Sequence, residues 1–441
     1  MELNRFNFIS KHLKSEFLRN VLTLFSGAMI AQVIPFIAAP VLARMYMPEQ
    51  FGELGVILSI TGIFGIISTF QYEAAIMLPK DDEDAFSLLS LSMLITIAIS
   101  VLSYIVTSLF SNTIASMLGT DSFKKWMFII PAFVFLTGTY NSLNIWASRK
   151  KQFKRLAVRQ FTQSSVQAGA KLVLGWLKYL NGGLILGTIA GQVTSTGVLA
   201  GMTVKDGRGL FKSVTLQRMK ANAIRYQNFP KYTMWQGFID LFSTGSIIFI
   251  LTYFYGMKVV GYYSFTIGLL QKPSQMIGTA VSQVFYQNAS SKVARNESIH
   301  ENTRRLIKNL AFVGVFIYTP FFLGGYYIFN FVFSSKWNEA GLIAQIISPW
   351  LFFSFIGAPL ANIAVIKDKQ KQFLFITIGM NLMLPTVLFA VGKLHVNDLI
   401  AFGIISLLNV GYVLFLIGWI MRLIKNDSNT LANESEQKIE V

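Results

Sequence analysis

FSLLSLSMLITIAISVLSYIVTSL, residues 86–109, runs for 24 positions without a charged side chain. A bilayer's hydrocarbon core is about 30 Å thick, and roughly 20 helical residues rising 1.5 Å each cross it. The stretch therefore reads as one transmembrane helix. Working outward, the first half of the chain holds five more such stretches, near 20–43, 54–78, 126–147, 160–180 and 183–204. The second half holds six, near 232–254, 259–287, 308–333, 341–366, 373–392 and 399–423. Twelve spans are expected.

Charge supports the count independently. Alternate connections carry 29 of the 38 lysines and arginines, in the groups Arg5–Arg19, Lys80, Arg149–Arg159, Lys205–Lys231, Lys292–Lys308, Lys367–Lys371 and Arg422–Lys438. The opposite connections carry six: Arg44, Lys124, Lys125, Lys258, Lys336 and Lys393. Basic loops stay on the cytoplasmic side of an inserted chain, so both termini are expected in the cytoplasm.

Composition closes off several classes. At 53% apolar and 13% charged residues, the chain is too hydrophobic for a soluble multidomain protein. A net charge of +17 would suggest nucleic acid in a soluble protein. Here it lines one membrane face, where anionic headgroups account for it, and no nucleic-acid partner is expected. With no cysteine, disulfides, zinc–thiolate sites and thiol catalysis are excluded. His12, His300 and His395 fall in loops or the leading segment, so they supply no metal site or buried proton relay. Gly392-Lys393 lacks the upstream glycine of a phosphate-cradling loop. No enzyme activity and no cofactor are expected.

The chain divides into a basic amphipathic segment at 1–19, six spans over 20–204, a basic linker at 205–231, six spans over 232–423 and a polar tail at 424–441. Tyr46 and Gly52 after the first span match Tyr255 and Gly261 after the seventh at one offset. An even number of spans per half keeps both halves in the same orientation. The expected fold is an all-α integral membrane protein. Its twelve transmembrane helices form two six-helix bundles, related by a pseudo-two-fold along the membrane normal, with a central cavity.

Ionisable residues within a bilayer cost roughly 2.5–3.5 kcal/mol each at mid-helix, so each needs a reason. Lys171 and Lys272 are expected near mid-membrane, one from each half, and together could form a cationic floor for phosphate or pyrophosphate. Equally, Lys171 could neutralise Glu73, and Lys272 could neutralise Asp240. At helical rise, Glu73 lies roughly 8 Å and Asp240 roughly 12 Å from the cytoplasmic boundary. Both acids stand as candidates for charge pairing or for binding a coupling ion, H⁺ or Na⁺. The run Asp81-Asp82-Glu83-Asp84 reads as a solvated loop.

Pro40-x-x-x-Arg44-x-x-x-Pro48-Glu49-x-Phe51-Gly52 resembles the start of Wzx-type polysaccharide and O-antigen repeat-unit flippases of the multidrug/oligosaccharidyl-lipid/polysaccharide superfamily. The resemblance continues in Tyr72-Glu73-Ala74-Ala75-Ile76-Met77-Leu78-Pro79-Lys80, Phe229-Pro230-Lys231-Tyr232, Val260-Gly261-Tyr262-Tyr263 and Trp337-Asn338-Glu339-Ala340-Gly341. It implies movement of an undecaprenyl-pyrophosphate-linked oligosaccharide across a bacterial inner membrane by alternating access. It also implies Lys171 and Lys272 as pyrophosphate contacts, Arg44 at the outer mouth, and a polysaccharide polymerase and chain-length regulator as partners. Two other readings remain: a multidrug–cation antiporter of the same superfamily, and a membrane-embedded enzyme of glycan assembly.

Overall fold

The computed structural model describes residues 31–117, 121–293, 295 and 297–437; the expected segment at 1–19 and the start of the first span lie outside them. Every regular element among the described residues is helical. The helices are α1 Ala31–Met45, α2 Pro48–Ile67, α3 Tyr72–Ala75, α4 Asp82–Met117, α5 Asp121–Met127, α6 Ile130–Arg149 and α7 Phe153–Trp176. There follow α8 Gly183–Gly207, α9 Leu216–Arg225, α10 Met234–Val293, α11 His300–Phe333, α12 Asn338–Ile366, α13 Gln370–Lys393 and α14 Asp398–Gln437.

Nine helical stretches among the described residues are long and apolar enough to cross a bilayer. One of them, Phe229–Val293, has 65 residues, enough for two crossings. It is broken at Gly256, whose φ of 85° and ψ of 169° lie outside the helical range and suit a residue without Cβ. Counting it twice and adding α1 and α7 recovers the twelve expected spans. α7 falls short on composition, because Lys154, Arg155, Arg159, Gln160, Gln163, Gln167 and Lys171 dilute its apolar run. The protein is a multi-pass, all-helical membrane protein.

Two compact units make up the chain, Met1–Phe249 and Ile250–Val441. The division falls inside α10, later than the basic linker. The reason is local: the first part of α10 lies on α2, with Leu241 against Gly62, Gly237 against Ile66 and Gly245 against Ile63. Each unit packs an aromatic side chain against glycine. In the first, Tyr46 at the end of α1 packs on Gly175 of α7 and Gly183 of α8. In the second, Phe254 before the α10 break packs on Gly392 at the end of α13.

The acidic run at 81–84 is not a free loop. Asp82 and Asp84 open α4, where acidic side chains suit the helix N-terminus. Asp82 pairs with Arg149 Nε at 3.1 Å and with Lys150, and Asp84 pairs with Arg218 Nε at 3.4 Å. Arg149 also donates to the carbonyls of Ile76, Lys80 and Asp81 at 3.1, 3.3 and 3.4 Å, fixing the whole turn before α4. Arg149→Ala is expected to cost about 1–2 kcal/mol, from several charge-assisted bonds on a partly exposed site. Asp82→Asn should cost less, since Arg149 keeps its three carbonyls. Thermal unfolding of the purified protein checks the order; a larger loss for Asp82→Asn would refute the hub role of Arg149.

Candidate functional site

α7 carries Arg159, Gln163, Gln167 and Lys171 at intervals of four residues, which places them along one helix face. The stripe extends over about 18 Å, more than half the hydrocarbon thickness. Facing it, α8 carries Gly187, Gly191 and Ser195 at the same interval, and Gly183 one turn earlier lies against Tyr46 of α1. Small residues at this spacing let membrane helices approach backbone to backbone. A Cβ at Gly187 would stand 2.5 Å from Lys171 Cγ and 2.9 Å from its backbone nitrogen. One at Gly191 would stand 2.7 Å from Gln167 Cβ. The two helices are in contact all along the polar stripe.

Arg159 is 5% exposed. Its Nη1 donates to Ser195 Oγ at 3.0 Å and to Gln163 Oε1 at 3.3 Å, and the guanidinium carbon lies 4.9 Å from the Tyr140 ring centre. Its Nε is buried without a hydrogen-bond acceptor. Gln163 passes the network on, its Nε2 donating to Gln192 Oε1 at 3.4 Å. Lys171 is 9% exposed, and its carbonyl accepts from the buried Tyr46 hydroxyl at 2.8 Å. The first unit therefore holds a guanidinium, an ammonium and several amides in a row inside a membrane-spanning segment. Such an array concentrates charged and amide N–H donors, the kind that bind anionic oxygens and hydroxyls, within one helix.

The other expected residues are distributed differently. Lys272, in the second unit, is exposed on α10 beside Gly268, Gln275 and Thr279. Within that unit it has no hydrogen bond or ion pair among the described residues. Its neighbour Ser274 faces inward instead and accepts from Tyr318 Oη at 2.6 Å. Arg44 is exposed at the end of α1, and Asp240 is exposed on the first part of α10.

Glu73 departs from expectation. It was expected within the second span, but α2 ends at Ile67, and positive φ at Phe70 and Gln71 turns the chain. Glu73 lies beyond that turn on the one-turn helix α3, buried in a core with Tyr72, Ile76, Phe86, Trp146 and Leu199. Its Oε2 has no hydrogen-bond partner, and it makes no ion pair among the described residues. The Glu73–Lys171 neutralising pair is absent. Among the described residues no three acidic or histidine side chains group as a metal site.

Arg159 is the residue sequence reasoning missed. Standing at the edge of a span, it counted as a loop residue in the charge tally. The signal that could have found it is the interval of four shared with Gln163, Gln167 and Lys171.

Fold and site together define a class: a two-unit helical membrane protein with a buried basic stripe in one unit. The family described as polysaccharide biosynthesis protein matches residues 41–341, and the chain belongs to it. No curated protein sequence matches the chain. Its fold is similar to that of an inward-facing multidrug resistance MATE family transporter of the MOP superfamily, with a TM-score of 0.70 and 13% identity over 91% of this chain and 99% of that one. It is similar also to the lipid II flippase MurJ in an inward closed conformation, with a TM-score of 0.66 and 16% identity over 92% of this chain and 91% of that one. A Vibrio cholerae MATE transporter follows at 0.53 and 11% identity, over 94% and 98%.

Proposed function

We propose that the protein is a flippase for an undecaprenyl-pyrophosphate-linked oligosaccharide, an O-antigen or similar surface-polysaccharide repeat unit, working by alternating access. The observation that carries this reading is the Arg159–Gln163–Gln167–Lys171 stripe, in a chain of a polysaccharide biosynthesis family. A charged headgroup in transit must exchange its water for other donors, and lysine and arginine with flanking amides supply them within hydrocarbon. Lys171 and Lys272 take the pyrophosphate, with Arg44 at the outer mouth. The prenyl chain remains in lipid.

The same proposal places the chain in a bacterial inner membrane with both termini cytoplasmic, following the 29-to-6 asymmetry of basic residues. Glu73 and Asp240 are its candidates for a coupling H⁺ or Na⁺. A polymerase and a chain-length regulator are its expected downstream partners. The fold is shared with a multidrug transporter, which raises export of organic cations as a second reading. The charge of the stripe opposes it: Arg159 and Lys171 would repel a cationic cargo.

Deleting the gene in the native bacterium tests the proposal. The expected result is loss of surface polysaccharide, with the lipid-linked intermediate trapped in the inner leaflet. Normal polysaccharide together with new sensitivity to cationic dyes would replace flipping by drug export.

A further inference from the structure

The linker between the two sets of spans contains a helix, α9, with three distinct faces. Buried Met219 and Asn222 and half-buried Ala223 form the first, which faces α4: Asn222 Nδ2 donates to Asp84 Oδ1 at 3.3 Å, and Arg218 pairs with the same carboxylate. The Tyr72 hydroxyl adds a bond to the carbonyl of Ala223 at 3.1 Å. Ala221 and Arg225 form the second, polar and exposed, and Gln217 stands on the boundary between it and the third. The third consists of Leu216, Lys220 and Ile224, four residues apart, with Leu216 81% and Ile224 58% exposed. Phe211, just upstream, is 52% exposed.

Two large aliphatic side chains on one stripe of a short, otherwise polar helix would each forgo a sizeable burial free energy in water. The position of α9 says what covers them. Its partner Asp84 stands in the first turn of α4, one residue before the apolar transmembrane run begins at Ala85. Phe211 is in edge contact with Phe86, the second residue of that run, at 5.0 Å between ring centres. α9 is thus fastened at the depth where hydrocarbon gives way to headgroups. Its surroundings are basic: 205–231 holds seven lysines and arginines against one acid, Asp206. An apolar stripe with a central lysine, set among cations at that depth, is the chemistry of a helix lying in an anionic lipid interface.

We propose that α9 is a lipid-docking helix, with Leu216 and Ile224 inserted below the acidic headgroups of the adjoining leaflet and Lys220 extended along them to the phosphates. Phe211 extends the inserted patch, and Lys212 and Arg208 add to the charge. The polar face with Ala221 and Arg225 looks into water. The proposal depends on the membrane architecture and not on the cargo, so it stands or falls separately from the flippase reading.

Because the chain has no cysteine, one introduced thiol is a unique labelling point. The test uses the full-length protein carrying Leu216→Cys, Lys220→Cys, Ile224→Cys, Ala221→Cys or Arg225→Cys, all exposed positions, each with a nitroxide label. After reconstitution in vesicles containing phosphatidylglycerol, collision with oxygen and with a water-soluble nickel chelate is measured by electron paramagnetic resonance. Labels at 216, 220 and 224 are expected to favour oxygen, and labels at 221 and 225 to favour nickel. In purely zwitterionic vesicles the contrast should weaken, and Lys220→Gln should weaken it in anionic ones, by roughly fivefold in lipid partition for one lost charge. Nickel access at 216 and 224 equal to that at 221 and 225 would overturn the proposal. So would labels at 216 and 224 shielded from both reagents, because a protein surface would then be covering the stripe.

Discussion

Replacing Lys171 and Lys272 together by alanine is expected to abolish surface polysaccharide while the protein remains inserted in normal amount. Removing an ammonium from a membrane-spanning segment lifts an insertion cost of roughly 2.5–3.5 kcal/mol, so the variant should enter the bilayer at least as readily as the parent. Loss of export would then report lost contact with the cargo and not lost protein. Arginine at either position keeps the charge and should retain more export than alanine. Equal loss with arginine would mean that packing matters at these sites, as the tight approach of Lys171 to Gly187 would allow. Normal export by the double alanine variant would remove the pyrophosphate role of both lysines and leave the family assignment untouched.

Gly187→Leu should do the reverse and remove the protein itself. The nearest obstacles to a new Cβ include the backbone nitrogen and Cα of Lys171, at 2.9 and 3.2 Å, and backbone cannot rotate aside. α7 and α8 would have to part, and the Tyr46–Lys171 bond at that crossing would be strained with them. A cost of about 3 kcal/mol or more is expected, at the upper end of overpacking effects. Gly197→Ala on the same helix is the control, because nothing lies within 4 Å of its added Cβ and a small gain is expected there. Yield of monodisperse protein and its thermal midpoint separate the two. Similar behaviour of both variants would show that the small-residue stripe is not what holds the helices together.

The spans were legible because bilayer thickness imposes a length that hydropathy exposes directly, as at 86–109. Basic side chains could be assigned to loops wherever a loop was long, and this is where Arg159 was lost. A residue one turn inside a helix and one in the preceding loop look alike to a charge count. Neither was the position of Glu73 legible: the turn before it uses Phe70 and Gln71 at positive φ, and neither residue type announces such a turn. The acidic run was misread for a different reason. Its partners stand 67 residues away at Arg149 and 138 away at Asn222, and only tertiary contact joins them. The Gly187–Gly191–Ser195 interval is visible in the sequence, and it marks where α8 meets α7.

The polarity of α7 also bears on how the chain is made. A helix with two buried cations and three glutamines carries an insertion penalty that its apolar residues offset poorly. A translocon presented with α7 alone would tend to leave it in water. Only six residues, 177–182, separate it from α8, whose greater hydropathy favours entry. The two helices are therefore expected to enter the bilayer together as a hairpin during synthesis, with the glycines of α8 already closed on the polar face. The crossing that encloses Arg159 and Lys171 in the finished protein would then also carry them past the hydrocarbon during biogenesis.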